Sequence, residues 1–596
     1  MCGIAGIITN SEKALPASHL SDRINAMQDA LVHRGPDHQA VYLSKRGNAA
    51  ICHTRLSVID VRDIANQPMT SDDGRYILSF NGEIYNHTKL RIGLEERGVK
   101  FKTDCDTEVL LQLLIEQGTK ALNSLRGMFA FAFWDEKKSR LLVARDPLGI
   151  KPVYYCARKN SLAFSSEVRS LLQADISSRK LSSRGINQYL LRGSFSEPDT
   201  AFTDIKLLPA GTFFQWQKGL PRLQRYWKPQ FKVNKNMNRD RAKEITRTAL
   251  EHCVKAHLVS DVPIGLFLSG GIDSTILLAL CTQLTSKDIR TYSIAFEDPK
   301  WNEGDIAKRT AEHFGSHHTE WKITATQAKG LFQEFLESVD QPTIDGFNTY
   351  CVSKLASDNG ETVVLTGLGA DEIFAGYPSF ERLPGLKKRV QRLKWLRRIL
   401  EPIQSPLDRL LSAKYRRVLD MLCSKNSMAI IHQSFRGIFS LSEAKHIAHS
   451  ITTKTSEANH HELRSKSSLD QVSELELTVY CRNQLLRDSD VFSMAFGLEV
   501  RVPFIDKVLI EQLSSIPKIW RLNQGKKLLI DSVPELPDWV VERPKQGFRF
   551  PFDHWFEEQW SDMPNHTVPT WIKLKPWYRR WSLSVLEYWL QRYAER

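Results

Sequence analysis

The stretch "FLSGGIDSTILL" (267–278) decides the fold of the second half of the chain. It reads as an apolar strand that runs into Ser-Gly-Gly, followed by a helix that begins near Asp273 and Ser274. Glycines let the backbone approach a ligand closely, and the N–H groups at a helix N-terminus point at an anion. The absence of G-x-x-x-x-G-K-[ST] excludes a Walker A loop. The stretch predicts an anion site at the carboxyl end of a strand, with an ordinary tight turn as the alternative.

The segments around this stretch alternate between helix and strand. "RAKEITRTALEHCVKAHL" (241–258) has helical periodicity, "VPIGLFL" (262–268) is strand-like, and "IRTYSIAF" (289–296) follows the next helix as another strand. This alternation predicts a doubly wound α/β domain, with a parallel sheet covered by helices on both faces. Residues after about 380 are expected to be mostly helical.

The first part of the chain is β-rich. Short apolar strands such as "YILSF" (76–80), "MFAFAFWD" (128–135) and "RLLVARD" (140–146) lie between turn residues. A polar stretch that contains Pro, Lys and Asn follows. We therefore expect three segments: a first domain at 1–215, a linker at 216–240 and a second domain at 241–596.

Length and composition describe an ordinary globular protein. The 596 residues are too many for one core, and 42% of them are hydrophobic. The sequence contains neither a membrane-spanning apolar run nor a signal-peptide pattern at its start, so we expect a cytoplasmic protein. Its nine cysteines form no C-x-x-C pair, which excludes a zinc ribbon and favours reduced thiols.

The net charge of +14 is concentrated in "LKKRVQRLKWLRRIL" (386–400). Leu386, Val390, Leu393, Leu396 and Leu400 recur at helical spacing, with Lys and Arg largely around the other face. A solvated helix face is the preferred interpretation, and an RNA or membrane surface is the minority one. We expect no nucleic-acid partner and no membrane.

The chain begins "MCGIAGIITN", which places Cys2 directly after the initiator methionine. Removal of that methionine leaves Cys2 with a free α-amine, whose pKa of about 7.7–8.0 lets it accept a proton at neutral pH. A thiol beside its own amine has a built-in general base. On this stretch alone, a small residue buried in a first strand is the preferred interpretation.

A second strand-to-loop passage is "TVVLTGLGADEIFAGYPSF" (362–380). It offers Gly367, Gly369, Asp371 and Glu372 immediately after an apolar strand. Two acidic residues beside a phosphate site are expected where a hard cation joins them to the phosphate oxygens. An exposed acidic turn is the structural alternative.

Several motifs together resemble a known family. "SGGIDS" is similar to the pyrophosphate loop of ATP pyrophosphatases. "MCGIAGI", "HRGPD" (33–37), "HTRLSVID" (53–60) and "NGEIYN" (81–86) resemble a class II glutamine amidotransferase domain. With "LEVRVPFID" (498–506) and "RPKQGF" (543–548), nearly the whole chain resembles the glutamine-hydrolysing asparagine synthetases. The resemblance implies an αββα Ntn-hydrolase sandwich, then an α/β ATP-pyrophosphatase domain with a helical C-terminal part.

The resemblance assigns roles in the first domain. Cys2 would attack the glutamine side-chain amide, and the Asn81 side chain with the Gly82 N–H would form the oxyanion hole. Arg55 would bind the α-carboxylate of glutamine, and its α-ammonium would lie against two carboxylates, those of Glu83 and Asp106.

In the second domain the resemblance implies that ATP adenylates a carboxylate, releases pyrophosphate, and lets ammonia form the amide. Lys545 would stabilise charge on the phosphates, and Mg²⁺ would bind at Asp273 and Asp371. The expected small molecules are glutamine, ATP and an acid, and a homodimer is compatible with the sequence. The residues expected to bind ATP and pyrophosphate are Leu268, Ser269, Gly270, Gly271, Asp273, Ser274, Ile294, Thr366, Gly367 and Asp371.

Two positions depart from the family pattern. Leu368 occupies a position where well-studied members have a glutamate, and Asp345 stands where they have an arginine. Both positions are expected near the acid that accepts the nitrogen, so they bear on which acid the protein uses. Aspartate is the expected acceptor, and another acid, such as a sugar uronate or a natural-product acid, is the alternative. An RNA-modifying enzyme and a non-catalytic partner protein are the alternatives of other classes.

Overall fold

The computed structural model describes residues 2–10, 17–229, 233–296, 303–424, 427–453, 463–543, 550–558, 560 and 568–594. Met1 and Lys545 lie outside the described residues, so the expectations placed on them stay predictions.

The N-terminal part of the chain forms two antiparallel sheets. The first has the strand order β10-β8-β9-β1-β3-β2 and the second β12-β11-β7-β6-β5-β4. In chain order the strands are β1 (Gly3–Thr9), β2 (His38–Leu43), β3 (Ala49–Arg55), β4 (Met69–Thr70), β5 (Tyr76–Ile84), β6 (Gly127–Asp135), β7 (Arg140–Arg145), β8 (Tyr154–Ala157), β9 (Ser161–Ser165), β10 (Ile205–Leu207), β11 (Thr212–Trp216) and β12 (Gln224–Arg225).

The two sheets pack face to face and are covered by helices on their outer faces. In β1, Ile4 and Ile8 point into the core between the sheets, whereas Ala5 and Ile7 pack under the outer helices. This alternation follows from the two-residue period of a strand. The four layers are the predicted αββα sandwich. Its helices are α1 (Ala17–Asp29), α2 (His87–Glu95), α3 (Asp106–Gln117), α4 (Val168–Gln173) and α5 (Ser183–Arg192), with 3₁₀ turns at Val32–Arg34, Asp63–Ala65 and Gly118–Asn123.

The second part contains the predicted parallel sheet, in the order β15-β14-β13-β16-β17. Its strands are β13 (Ile264–Phe267), β14 (Arg290–Phe296), β15 (His317–Ile323), β16 (Val363–Leu365) and β17 (Glu499–Arg501). The helices around it are α6 (Arg239–His257), α7 (Ile272–Leu284), α8 (Gly304–His313), α9 (Ala325–Ser338), α10 (Phe347–Asp358) and α11 (Ala370–Ile373). Strand β12 lies within the expected 216–240 linker but belongs to the second antiparallel sheet. The boundaries of the linker stay a prediction.

In the remaining part of the chain that the structure describes, the regular elements are helical apart from β17. Its helices are α12 (Pro378–Arg392), α13 (Arg397–Leu400), α14 (Gln404–Leu410), α15 (Ala413–Cys423), α16 (Met428–Arg436), α17 (Leu441–Thr452), α18 (Ser468–Leu475), α19 (Arg487–Met494), α20 (Lys507–Leu513), α21 (Lys518–Arg521), α22 (Lys527–Asp531), α23 (Asp538–Val541), α24 (Phe552–Glu558) and α25 (Trp577–Tyr593). A π-helix (Glu476–Leu486) and 3₁₀ turns at Lys394–Leu396 and Gln524–Lys526 complete the set.

The basic stretch 386–400 is not one helix. Helix α12 ends at Arg392, a 3₁₀ turn follows, and α13 then packs against α15. Val390 is buried against neighbouring helices, whereas Leu393 is exposed. After the bend, both the 3₁₀ turn and α13 contact α15.

The two parts of the chain share a hydrophobic core. Leu56 and Ile150 from the first part pack in the same cluster as Leu266 and Phe504 from the second. A direct apolar contact of this kind holds the two halves in a fixed relation. In the described part of the chain, no helix is both long and apolar enough to cross a bilayer.

Candidate active site

Cys2 lies immediately before β1, where the two halves of the molecule meet. It is 7% exposed, and its Sγ lies 3.9 Å from the Leu56 carbonyl oxygen. Burial raises the pKa of the Cys2 thiol, and the neighbouring positive charges, Arg55 among them, only partly oppose this. The resting sulfur is therefore a neutral thiol, so a base has to remove its proton before it can act as a nucleophile.

Asn81 lies on β5, opposite Cys2 across the two sheets. Its Oδ1 accepts a hydrogen bond of 3.1 Å from the Cys2 backbone nitrogen. Its Nδ2 is buried and has no hydrogen-bond partner among the described residues. A buried donor without a partner is costly, so this amide is set to receive an oxygen from a ligand.

Gly82 follows on the same strand with φ of +151°. A Cβ at this position would lie 2.0 Å from the Met128 carbonyl oxygen on β6. Only glycine fits here, because β6 lies against this side of Gly82. The tight fit fixes the backbone next to Asn81, whose side chain contacts the Cys2 backbone nitrogen.

Arg55 ends β3 and is 4% exposed. Its guanidinium donates to the carbonyl oxygens of Asp60 and Arg62 and to Asn66 Oδ1, at 2.5 to 3.0 Å. All three acceptors are neutral, and no carboxylate lies within 4 Å of Arg55 in the described structure. The positive charge is therefore positioned but not neutralised, which suits an anionic ligand group.

Two buried carboxylates complete this first site. Asp106 begins α3, and its Oδ2 accepts from the Ile84 backbone N–H at 2.8 Å. Glu83 lies 3.7 Å from the Arg501 guanidinium of β17, and its Oε2 has no hydrogen-bond partner in the described residues. Burial raises the pKa of both carboxyls, and the negative charges of Glu499 and Asp106 raise that of Glu83 further. An incoming cation would restore the charged forms. We call Cys2, Arg55, Asn81, Gly82, Glu83 and Asp106 the N-terminal site.

The stretch 267–278 forms the predicted strand, loop and helix. Gly271 is the N-cap of α7, and no side chain caps the helix. Gly270 has φ of +67°, and a Cβ there would lie 2.8 Å from Ile306. Ser269 and Ser274 hold each other across the loop, 3.2 Å apart. The first N–H groups of α7 thus face outward as donors for an anion.

The loop after β16 lies against this first loop. Gly367 approaches so closely that a Cβ there would lie 2.9 Å from the Cβ of Asp273. The two loops form one wall of a cavity of about 570 Å³ at the carboxyl edge of the parallel sheet. We call it the C-terminal cavity. All the residues predicted to bind ATP and pyrophosphate line it: Leu268, Ser269, Gly270, Gly271, Asp273, Ser274, Ile294, Thr366, Gly367 and Asp371.

Lys526 also lines this cavity, and the sequence analysis missed it. Its Nζ lies 2.5 Å from an Asp273 carboxylate oxygen and 2.6 Å from Asp371 Oδ1. These two carboxylates raise the pKa of the lysine against the opposing effect of burial. The two aspartates thus converge on one point that favours positive charge. The only available signal was "QGKKLLI" (524–530), in which nothing distinguishes Lys526 from Lys527.

Part of the cavity lining is acidic. Asp345 and Leu368, the two positions that depart from the family pattern, both line it, as does Asp488. Burial raises the pKa of Asp345, and it raises the pKa of Asp488 to about 7. The two cationic residues of the described lining, Lys526 and Arg543, already contact carboxylates.

One strand and one helix separate the two sites. On β17, Val500 lines the C-terminal cavity, while Arg501 reaches Glu83 of the N-terminal site. On α19, Asp488 lines the cavity, whereas Asp490 pairs with Arg34, which donates to the Cys2 carbonyl oxygen. Side chains one or two positions apart on the same strand or helix therefore reach different sites.

Comparison with known proteins identifies the family that each half of the chain matches. Residues 1–227 match the family model of the glutamine amidotransferase domain, and residues 246–583 match that of asparagine synthase. Asparagine synthetase [glutamine-hydrolyzing] 1 of Bacillus subtilis is 32% identical over 586 residues, which cover 95% of this chain and 90% of that protein. A putative asparagine synthetase of Mycobacterium tuberculosis H37Rv is 31% identical over 597 residues, 93% of this chain and 88% of the relative.

A solved structure, the glutamine phosphoribosylpyrophosphate amidotransferase from B. subtilis, matches 61% of this chain and 81% of its own. At 16% identity and a TM-score of 0.29, this match is too distant to support a conclusion. The two family models and the relatives, in contrast, agree along most of the sequence. The chain belongs to the asparagine synthase family and carries the glutamine amidotransferase domain of its glutamine-hydrolysing members.

Proposed function

We propose that the protein hydrolyses glutamine at the N-terminal site and uses the ammonia to amidate an ATP-activated carboxylate in the C-terminal cavity. Aspartate is the first-choice acceptor and asparagine the product. The observation that supports this most strongly is the wall shared by the two sites, in which β17 directs Arg501 to one and Val500 to the other. Two unrelated sites would not need a common strand.

At the N-terminal site, Cys2 attacks the side-chain amide of glutamine. Its neutral thiol needs a base, and the α-amine released by removal of Met1 supplies one on the same residue. The unpartnered Nδ2 of Asn81 donates to the oxyanion that forms. Arg55 binds the α-carboxylate of glutamine, and Glu83 with Asp106 binds its α-ammonium.

In the C-terminal cavity, the N-terminus of α7 and the Ser269–Ser274 loop hold the pyrophosphate of ATP. Lys526 compensates the negative charge that grows on the phosphates as the acceptor carboxylate attacks. Asp273 and Asp371 offer converging hard oxygen atoms, a donor set that suits Mg²⁺. When bound, the ion would neutralise phosphate charge beside Lys526.

Coupling of the sites has a chemical reason. Ammonia in neutral water is mostly protonated and is then not a nucleophile, and an acyl-adenylate hydrolyses in water. Release of ammonia inside the shared core keeps the nitrogen neutral and the intermediate dry. The apolar interface around Leu56, Ile150 and Phe504 is suited to this.

A second acceptor class is favoured by the lining of the cavity. Aspartate has two carboxylates, and while one is activated the other needs a partner in the pocket. The two cations of the described lining, Lys526 and Arg543, already contact carboxylates, and Leu368 offers only an apolar side chain. A sugar uronate has no second carboxylate to satisfy, and an acid that carries an amine would place that cation near Asp345 or Asp488. The chemistry at ATP and glutamine is the same for both classes.

The test is an acceptor screen with the purified protein, glutamine, ATP and Mg²⁺. Each candidate acid is supplied separately, and AMP release and product mass are followed together. Asparagine formed from aspartate supports the first choice, and an amide formed only from a uronate or amine-bearing acid selects the second. Failure to release AMP with every acid, despite intact glutamine hydrolysis, would refute the proposed synthetase half.

The cysteines bear on where the protein works. All nine are free and buried in the structure. Unpaired thiols fit a reducing compartment, so we place the protein in the cytoplasm.

A further inference from the structure

The strongest feature outside both sites is a positively charged surface with exposed apolar side chains. Residues 385–418 contain eleven Lys or Arg and two acidic residues, a net charge of +9 within the protein's +14. One of the acids, Asp408, is buried, and the other, Glu401, pairs with Arg397. We call residues 385–418 the basic apolar patch.

The apolar residues of this patch are unusually exposed. In the described part of the chain, seven of the sixteen exposed large apolar side chains fall within this patch. Trp395 is 59% exposed, Ile399 56% and Leu410 83%. The full set is Leu393, Trp395, Ile399, Ile403, Leu410, Tyr415 and Val418. A solvated helix face, the interpretation that the sequence favours, would not concentrate them here.

The patch is one connected surface. The 3₁₀ turn Lys394–Leu396, α13 and α14 each pack against α15. Trp395, Ile399 and Ile403 recur at four-residue intervals, which places them on one side of a helical path. The exposed cations among them and around them are Lys388, Arg389, Arg392, Lys394, Arg398, Arg409 and Lys414.

We propose that the basic apolar patch docks on the surface of an anionic lipid bilayer. Lys and Arg bind the negative headgroups, while Trp395, Ile399 and Leu410 enter the boundary between headgroups and acyl chains. This combination of charges and exposed apolar side chains is what an interfacial segment needs. The inference is independent of the proposed function, because no residue of the patch lines the C-terminal cavity.

Charge and side-chain type distinguish the bilayer from other partners. Five of the seven exposed apolar residues are aliphatic, and aliphatic side chains cannot stack on bases as an RNA-binding surface requires. A symmetric dimer through this patch would bring together two surfaces that each carry seven exposed cations, which repel. A lipid surface satisfies both the charges and the aliphatic side chains.

The test is co-sedimentation of the full-length protein with vesicles of two compositions. One is pure phosphatidylcholine, and the other contains equal parts of phosphatidylcholine and phosphatidylglycerol. We expect at least tenfold stronger binding to the anionic vesicles, since each basic residue near such a surface adds roughly a factor of five to partitioning. Binding should fall when salt is raised from about 0.1 M to about 0.5 M.

Two variants separate lipid docking from general polyanion binding. Ile399→Ser with Leu410→Ser removes apolar side chains and keeps every charge, and it should weaken vesicle binding about tenfold. Ile519→Ser with Leu220→Ser, exposed residues elsewhere, is the matched control and should change nothing. Circular dichroism and thermal unfolding in solution check that all variants are folded.

Two results would overturn the proposal. The first is equal or absent binding to both kinds of vesicle. The second is unchanged vesicle binding by the Ile399→Ser, Leu410→Ser variant together with tight, salt-sensitive binding to single-stranded RNA, which would assign the patch to nucleic acid.

Discussion

The N-terminal site and the C-terminal cavity are built in contrasting ways. The first uses residues at or near strand ends within a rigid sandwich, and among the described residues its buried donor Asn81 Nδ2 has no partner. The second uses loops at strand ends, and there Asp273 and Asp371 share one cation, Lys526. One site is poised for a ligand oxygen, and the other holds its own counterion until a ligand enters.

This difference predicts different responses to substitution. In the N-terminal site, loss of one donor should weaken one step and leave the rest of the protein intact. In the C-terminal cavity, loss of Lys526 should weaken ligand binding and leave the negative charges of Asp273 and Asp371 uncompensated.

The largest effect is expected for Lys526→Met. ATP-dependent AMP formation should fall on the order of 10³-fold with either glutamine or ammonia, because the cation that faces the phosphates is lost. Glutamine hydrolysis should persist. Lys527→Met, at the exposed neighbouring position, is the matched control and should behave as the parent. Equal effects of the two substitutions would remove Lys526 from the account.

The second-largest effect is expected for Asn81→Ala. Glutamine hydrolysis should fall on the order of 10²-fold in kcat, as expected when one oxyanion donor is removed. AMP formation supplied with ammonia should stay within a factor of two or so, because the C-terminal cavity is untouched. A parallel loss of the ammonia-dependent reaction would indicate that Asn81 holds the fold instead.

A smaller effect is expected for Arg501→Lys, a substitution in the wall that the two sites share. Arg501 is fully buried and donates to the carbonyl oxygens of His257 and Val259. Lysine cannot reproduce these forked contacts, so Arg501→Lys should loosen the shared wall and raise the ratio of glutamate formed to AMP formed severalfold. Arg97→Lys, at the largely exposed ion pair with Glu116, is the control. An unchanged ratio would exclude Arg501 from the coupling.

The last prediction is a pH dependence of stability, not of activity, and it separates the two sites. Burial raises the pKa of Asp488 from an ordinary value of 3.8 to about 7, so between these values the folded protein holds a proton that the unfolded chain has lost. This contribution to the free energy of unfolding is present below pH 4 and is lost as the pH rises through 7, by at most about 1.4 kcal/mol per pH unit.

Asp488→Asn should therefore flatten the fall of unfolding free energy between pH 5 and pH 7, measured by urea denaturation. Cys2→Ala should keep the parental slope, because burial moves the pKa of the thiol upward, away from this range. Identical slopes in the parent and Asp488→Asn would contradict the assignment to Asp488.

The sequence predicted those parts of the fold and of the sites that depend on residues within one short stretch. The Ser269–Ser274 loop, the start of α7 and the glycine after Asn81 each depend on residues within one short stretch. The alternation of helix and strand likewise fixed the parallel sheet. These features were read correctly because strand, turn and helix-start preferences act over a few residues.

Contacts between distant segments could not be read in the same way. Lys526 is 253 positions from Asp273, and an unremarkable pair of lysines gives no sign of the ion pair. Sequence assigned the phosphate-facing role to Lys545 instead, which lies outside the described residues and stays a prediction. The pairing of Arg501 with Glu83 and the bend after Arg392 also depend on how whole elements pack.

The proposed function requires that the nitrogen released from glutamine at Cys2 reaches the C-terminal cavity. The decisive measurement supplies Cys2→Ala with glutamine labelled with ¹⁵N at its side-chain amide, and separately with ¹⁵N-ammonia, and follows the label into the amide product. We predict product labelled from ammonia at near the parental rate and none labelled from glutamine. Labelling from glutamine at the parental rate would contradict the account.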